Sequence, residues 1–121
     1  MKNETTRKVI NVDKLNMLPL WGFKEGDDVV LKLSLYKDAL AFDITGQTIS
    51  LGARTQKGLI EQLIGFTINK NELDIALKNS ILVPGIVEIE LNFRDASGNM
   101  TTASFFITVN SKILNDTALS P

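Results

Sequence analysis

The sequence predicts an all-β domain, an immunoglobulin-like antiparallel β-sandwich with one short helical turn. Two observations lead to this prediction. From residue 28 onward, apolar and polar residues alternate with a period of two, which is typical of strands that bury one face. Short segments containing Gly, Pro or Asn separate the alternating runs. The length of 121 residues fits one domain with one hydrophobic core.

Five runs carry the alternation, and the strictest, residues 87–94, is apolar at every second position. The runs are 28–37, 48–54, 64–68, 87–94 and 101–109. Among their predicted core-facing residues are Val29, Leu31, Leu33, Leu35, Ile49, Leu51, Ala53, Ala103, Phe105, Ile107 and Val109. Because each buried large apolar side chain contributes about 1.5–3 kcal/mol, these runs are sufficient to form a core.

The segments between the runs predict how the strands connect. Residues 95–99, Asp-Ala-Ser-Gly-Asn, predict a hairpin loop, and residues 56–58 predict another tight turn. Val-Pro-Gly at 83–85 predicts a turn just before the best strand. Residues 71–78 begin with an Asn and carry apolar residues at helical spacing, so we expect one or two helical turns there.

The ends of the chain differ from this body. Residues 1–24 contain five basic and two acidic residues and are interpreted as a leader or docking arm, in which 5–12 predicts an edge strand. Residues 25–110 form the predicted sandwich domain. Residues 111–121 trail away from the last strand, and we expect them to begin a linker to a C-terminal region.

The composition excludes several classes of chemistry. The chain contains no histidine and no cysteine, which removes His-based and thiolate catalysis, disulfides and the usual zinc or iron–sulfur sites. We therefore expect no cofactor and no metal. A net charge of −1 predicts no general attraction to nucleic acid, and no signal peptide or membrane span is visible.

Three other readings of the sequence remain open. The candidate paired acids for an enzyme are Asp27 with Asp28, Glu88 with Glu90, and Asp95. Glu88 and Glu90 share one face of one strand, although such residues are common on any exposed strand face. Trp21 and Tyr36 are the aromatic residues that would suit a carbohydrate- or cell-surface-binding module. Alternation places Phe106 off the core face, so it either packs in a second small core or contacts another subunit.

The order of several cues resembles the N-terminal domain of phage baseplate upper proteins, a family of siphophages of Gram-positive hosts, with the lactococcal type nearest. The cues are Gly26-Asp27 before the first long strand, the Asp-x-Thr-Gly turn at 43–46, Leu-Val-Pro-Gly at 82–85, Asp-x-x-Gly at 95–98 and the closing strand at 105–109. Residues 86 and 87 depart from the family, in which an aromatic often follows the Pro-Gly turn. Residues 1–24 have no counterpart that can be matched.

The resemblance implies a non-enzymatic structural domain that anchors the upper baseplate protein to the central tail hub. The C-terminal remainder would form a homotrimer and carry receptor-binding proteins, which implies a place in the virion after assembly in the host bacterial cytoplasm. Partners would be a distal tail or hub protein, with no nucleic acid and no membrane. The candidate interface residues are the apolar ones of the leader and the outward aromatic: Leu15, Leu18, Leu20, Trp21, Phe23 and Phe106.

Overall fold

The computed structural model describes residues 3–14, 16 and 18–111, and these form two β-sheets packed face to face. The strands are β1 (Asn3–Glu4), β2 (Lys8–Asn11), β3 (Pro19–Lys24), β4 (Val29–Lys37), β5 (Leu40–Ala41), β6 (Thr48–Thr55), β7 (Gly58–Gln62), β8 (Phe66–Asn69), β9 (Glu72–Ala76), β10 (Gly85–Arg94) and β11 (Met100–Asn110). Within the described residues one 3₁₀ turn, Asn79–Ile81, precedes β10. The predicted all-β sandwich with one short helical turn is confirmed.

The two sheets are both mixed. In the first sheet β4 pairs antiparallel with β9, which pairs with β8, while β1 and β2 run parallel to β4 and β5 antiparallel to it. In the second sheet the strand order is β3-β11-β10-β6-β7, and only the β3–β11 pair is parallel. The antiparallel prediction therefore holds for the body of both sheets but not for the strands of the first 24 residues.

The core lies between the two sheets and is made from the residues that the alternation selects. All eleven predicted core-facing residues named above are buried, and seven of them are at most 1% exposed. Leu73, Ile75, Ile89 and Leu91 complete the same layer from β9 and β10. Because the side-chain period of a strand is two, one correct phase in each run predicts the whole buried face.

The helical turn predicted over 71–78 is wrong in position. Residues Glu72–Ala76 form strand β9, which pairs with β4 on one side and β8 on the other. The apolar residues of this segment also fit a period of two, since Leu73, Ile75 and Leu77 are all buried. Strand pairing on both sides satisfies the backbone of β9 and decides between the two periods. The turn itself begins one residue after the segment, at Asn79.

The described residues of the predicted leader are part of the sandwich. β2 confirms the predicted edge strand, and Ile10 and Val12 lie in the common core. The backbone of β3 pairs with β11 as far as Lys24. Packing therefore crosses the proposed boundary at residue 24. The linker predicted over residues 111–121 lies, apart from Ser111, outside the described residues.

A charged network on the outer face of the first sheet holds the segment between β1 and β2. The Arg7 guanidinium donates to the Leu33 carbonyl oxygen at 2.7 Å and to Asp74 Oδ1 at 2.8 Å. Lys32 Nζ lies 3.6 Å from Asp74 Oδ2 and 3.8 Å from Glu4 Oε2. Arg7 and Lys32 are thus both paired with acids of the same sheet face. In the part of the chain that the structure describes, no helix has the length and apolar character needed to cross a membrane.

Two turns share the pattern Asp-x-Ser/Thr-Gly and the same hydrogen bonds. Asp43 Oδ1 accepts from the Thr45 hydroxyl at 2.6 Å and the Thr45 N–H at 2.9 Å. Asp95 Oδ1 accepts from the Ser97 hydroxyl at 2.6 Å and the Ser97 N–H at 3.0 Å. These hydrogen bonds hold the pKa of both carboxyls below the usual value of an aspartate, and the bond from the hydroxyl has the largest effect. The predicted hairpin at 95–99 is confirmed.

The lowered pKa values predict acid sensitivity of both turns. A carboxyl whose pKa is lower in the folded state contributes stability above its unfolded pKa of about 3.9 and loses it as the pH falls through the folded value. We expect the free energy of unfolding, measured by urea denaturation, to decline between about pH 5 and pH 2, and to decline less steeply in the Asp43→Asn, Asp95→Asn double variant. Equal slopes for this variant and the wild type would contradict the assignment; Asp28→Asn, an exposed site outside both turns, is the control.

Candidate docking surface

The structure separates the six predicted interface residues. Leu15 lies outside the described residues. Leu18, just before β3, is 79% exposed. Leu20, Trp21 and Phe23 belong to β3 and are partly buried against the core. Of the described candidates in this segment, Leu18 is therefore the one whose side chain is mostly free to meet another protein.

Trp21 is used by the fold. Its ring meets Phe105 edge-on, with centroids 6.1 Å apart at 79°, and its Nε1 donates to the Thr6 carbonyl oxygen at 3.2 Å. In the parallel register Trp21 lies beside Ile107, which is fully buried, so it closes the core along the β3 edge. Such packing removes much of the ring from the contact that a stacked sugar would need, which weakens the carbohydrate reading of this residue.

Phe106 points away from the core, as the alternation predicts. It lies between Glu88 of β10 and Pro19 of β3 on the outer face of the second sheet and is half-buried there. The same register continues through Glu88 to Arg54 of β6 and Leu59 of β7. One row of side chains thus crosses all five strands, with apolar residues at both ends and an ion pair between them.

Three exposed apolar residues of this outer face were not among the sequence candidates. Leu59 is 76% exposed, Ile86 is 57% exposed and Met100 is 50% exposed. Ile86 shares the outward phase of Glu88 in β10, so the alternation alone could have identified it. Leu59 is different, because its outward direction follows from its pairing with Arg54, and strand pairing is not readable from a single sequence.

A hollow opens on this face above Gly52, where β6 has no side chain. It has a volume of about 210 Å³ and is lined by Gly52, Ala53, Arg54, Leu59, Glu88 and Glu90. Arg54 Nε lies 3.5 Å from Glu88 Oε1 at one end of the hollow. Glu90 and Glu61, the cross-strand neighbours of Gly52, form no ion pair with any described residue.

The chemistry available on this surface is recognition by charge and apolar contact. Glu88 and Glu90 lie on an open sheet face, and Glu88 is matched by Arg54. Asp95 has one carboxylate oxygen engaged by its own turn. Within residues 3–14, 16 and 18–111 there is no group of three or more acidic, His or Cys side chains that could hold a metal ion.

No protein-family model and no curated protein sequence matches the chain. Among solved structures, it is similar to the N-terminal domain of phage TP901-1 ORF48, with a TM-score of 0.68 and 14% sequence identity. The match covers 87% of this chain and 99% of that one. The two therefore share a fold over essentially the whole of that domain, and the resemblance to a phage N-terminal domain is confirmed at the level of the fold.

Proposed function

We propose that this chain is a non-enzymatic structural domain of a phage tail baseplate, which anchors an upper baseplate protein to the central tail hub. The observation that carries the proposal is the fold shared with a phage N-terminal domain over 99% of its length. The ordered turns and strands of the sequence, from residue 26 to residue 109, support the same family independently of that comparison.

In this proposal the domain binds the tail hub, and the rest of the protein carries the receptor-binding proteins. Residues 111–121 begin the linker, and the C-terminal part forms a homotrimer that carries receptor-binding proteins. The protein is assembled in the host bacterial cytoplasm and resides in the virion.

The structure offers a physical basis for docking at the β3 side of the second sheet. Trp21 and Phe23 pack on the core and fix β3 against β11. This fixes the position of Leu18 beside the strand and leaves it exposed. Phe106 lies on the neighbouring strand, opposite Pro19. Exposed apolar side chains on a rigid strand edge suit protein contact, because little conformational entropy is lost when a partner covers them.

Co-expression with the distal tail or hub protein of the same phage tests the proposal. We expect a stable complex in size-exclusion chromatography, and we expect the Leu18→Ser, Phe106→Ser double variant to bind at least about tenfold more weakly, since residues at an interface centre dominate affinity. Leu40→Ser is the matched control, because Leu40 is 72% exposed but belongs to the first sheet. Failure to associate with any distal tail or hub protein would refute the proposal.

A further inference from the structure

We infer that the whole outer face of the second sheet is the docking face, and that its partner is a protein surface presenting a Lys or Arg side chain flanked by apolar residues. This inference rests on the proposed function and deepens it, because it states where the contact lies and what chemistry the partner brings. The face is defined by the outward residues of the five strands β3, β11, β10, β6 and β7.

The two outer faces of the sandwich differ in how their charges are matched. On the first sheet Arg7 and Lys32 both lie within 4 Å of Asp74, and each also approaches a second acid, Glu72 or Glu4. These two cations and three carboxylates form one connected network within the domain. A partner that covered them would have to desolvate a satisfied network, which is costly unless it replaced those contacts.

On the second sheet one of the central carboxylates is paired with a cation and the others form no ion pair among the described residues. Glu61, Glu88 and Glu90 project from neighbouring strands around Gly52, and Arg54 pairs with Glu88 alone. The centre of this face therefore carries two carboxylates without a cationic partner among the described residues. Complementarity requires a cation from the other side of the contact.

The hollow above Gly52 is the site that we expect to bind this cation. Its volume of about 210 Å³ is several times the roughly 30 Å³ that one water molecule occupies in the liquid, so it accepts a side chain. One wall is Leu59, which is apolar and 76% exposed, and the opposite wall is Glu90. A Lys or Arg has matching parts, because its aliphatic stem packs on apolar surface while its charged end seeks a carboxylate.

Apolar residues surround this acidic centre. Leu59 lies at one end of the cross-strand row and Phe106 near the other, while Ile86 extends the face along β10. Five strands spaced about 4.8 Å apart and on average eight residues long make a face of roughly 24 by 27 Å. Its area of about 650 Å² approaches the roughly 800 Å² that each partner contributes to a standard interface. The face is therefore large enough to be a docking surface by itself.

Charge reversal on the two faces tests the inference with the co-expressed hub protein. Glu90→Lys changes the net charge by +2 on the second sheet, and the Thr67→Lys, Asn69→Lys double variant makes the same change at exposed positions of the first sheet. We expect Glu90→Lys to weaken binding at least about tenfold and the double variant to stay within about twofold of the wild type. We also expect wild-type affinity to fall with added salt, because the contact is partly electrostatic.

A second variant fills the hollow without adding charge. A Cβ at Gly52 meets no atom within 4 Å and the backbone there is not in the left-handed region, so Gly52→Val should fold with unchanged or higher thermal stability. We expect Gly52→Val to weaken binding at least about tenfold, because the valine side chain occupies the hollow that the partner's Lys or Arg would enter. If the wild-type chain binds the hub and both Glu90→Lys and Gly52→Val bind equally well, the inference is overturned while the proposed function stands. If the wild type binds no tail protein, the proposed function fails, and the inference with it.

Discussion

Replacing Phe105 by alanine is expected to lower the free energy of unfolding by about 3–5 kcal/mol, which is the range for removing a buried aromatic ring. Phe105 is fully buried, lies opposite Ile89 in β10 and meets the ring of Trp21 edge-on. Its loss leaves a cavity between the sheets where β3 joins the core. Since small domains are stable by only about 5–15 kcal/mol, urea denaturation should show a much lower midpoint or a largely unfolded chain.

The next residue provides the control for this prediction. Phe106 is also a phenylalanine in β11, but it faces outward and is half-buried. Phe106→Ala should cost no more than about 1 kcal/mol and should leave the unfolding transition cooperative. An equal loss of stability in the two variants would show that Phe106 serves a core, and it would remove this residue from the docking face.

Replacing Gln62 by leucine is expected to lower the free energy of unfolding by about 2–5 kcal/mol. Gln62 is buried at the corner where the chain passes from β7 to β8. Its Nε2 donates to the Ala76 carbonyl oxygen at 2.9 Å, and its Oε1 accepts from the Lys78 N–H at 2.7 Å. One amide thus links an edge strand of the second sheet to the end of β9 in the first. Nε2 also donates to the Ile64 carbonyl oxygen at 2.8 Å. Leucine has a similar size but leaves all three backbone groups without this partner.

The corner leaves no room for a larger residue beside this amide. Gly65 has a φ of +94°, and a Cβ there would lie 3.0 Å from Gln62 Nε2 and 3.1 Å from the Ala76 carbonyl oxygen. The neighbouring Glu61 is exposed, so Glu61→Gln is the matched control and should change stability by no more than about 0.5 kcal/mol in the same urea titration. A Gln62→Leu variant as stable as the control would mean that this bridge contributes nothing to the joining of the sheets.

The core was predictable from the sequence because burial in a strand has a fixed period. Val87 to Phe93 alternate without interruption, and Val29 to Leu35 do so apart from Val30, so their buried faces follow from phase alone. The structure of residues 71–78 was not predictable in this way. Leu73, Ala76 and Leu77 satisfy a helical spacing, whereas Leu73, Ile75 and Leu77 satisfy a strand spacing. Pairing with the neighbouring strand β8, and above all with β4, which is far away in the chain, decides between them.

The candidate site was only partly predictable for a related reason. The outward direction of Phe106 follows from the alternation of its own strand. The use of Trp21 and Phe23 as the closing edge of the core does not, because it depends on the parallel pairing of β3 with β11. The hollow above Gly52 likewise exists only when β6 lies between β7 and β10, which places Leu59 and Glu90 on its two sides. Properties of a single strand are local, whereas a surface is assembled from several strands.

Electron cryo-microscopy of this protein in complex with the phage tail hub tests the proposed docking directly. We expect this domain to lie on the hub with the outer face of its second sheet buried, Phe106 and Glu90 in contact with the hub, and a Lys or Arg of the hub above Gly52. We also expect Arg7, Lys32 and Asp74 to face solvent. A domain seated through the outer face of the first sheet, or one absent from the tail, would contradict it.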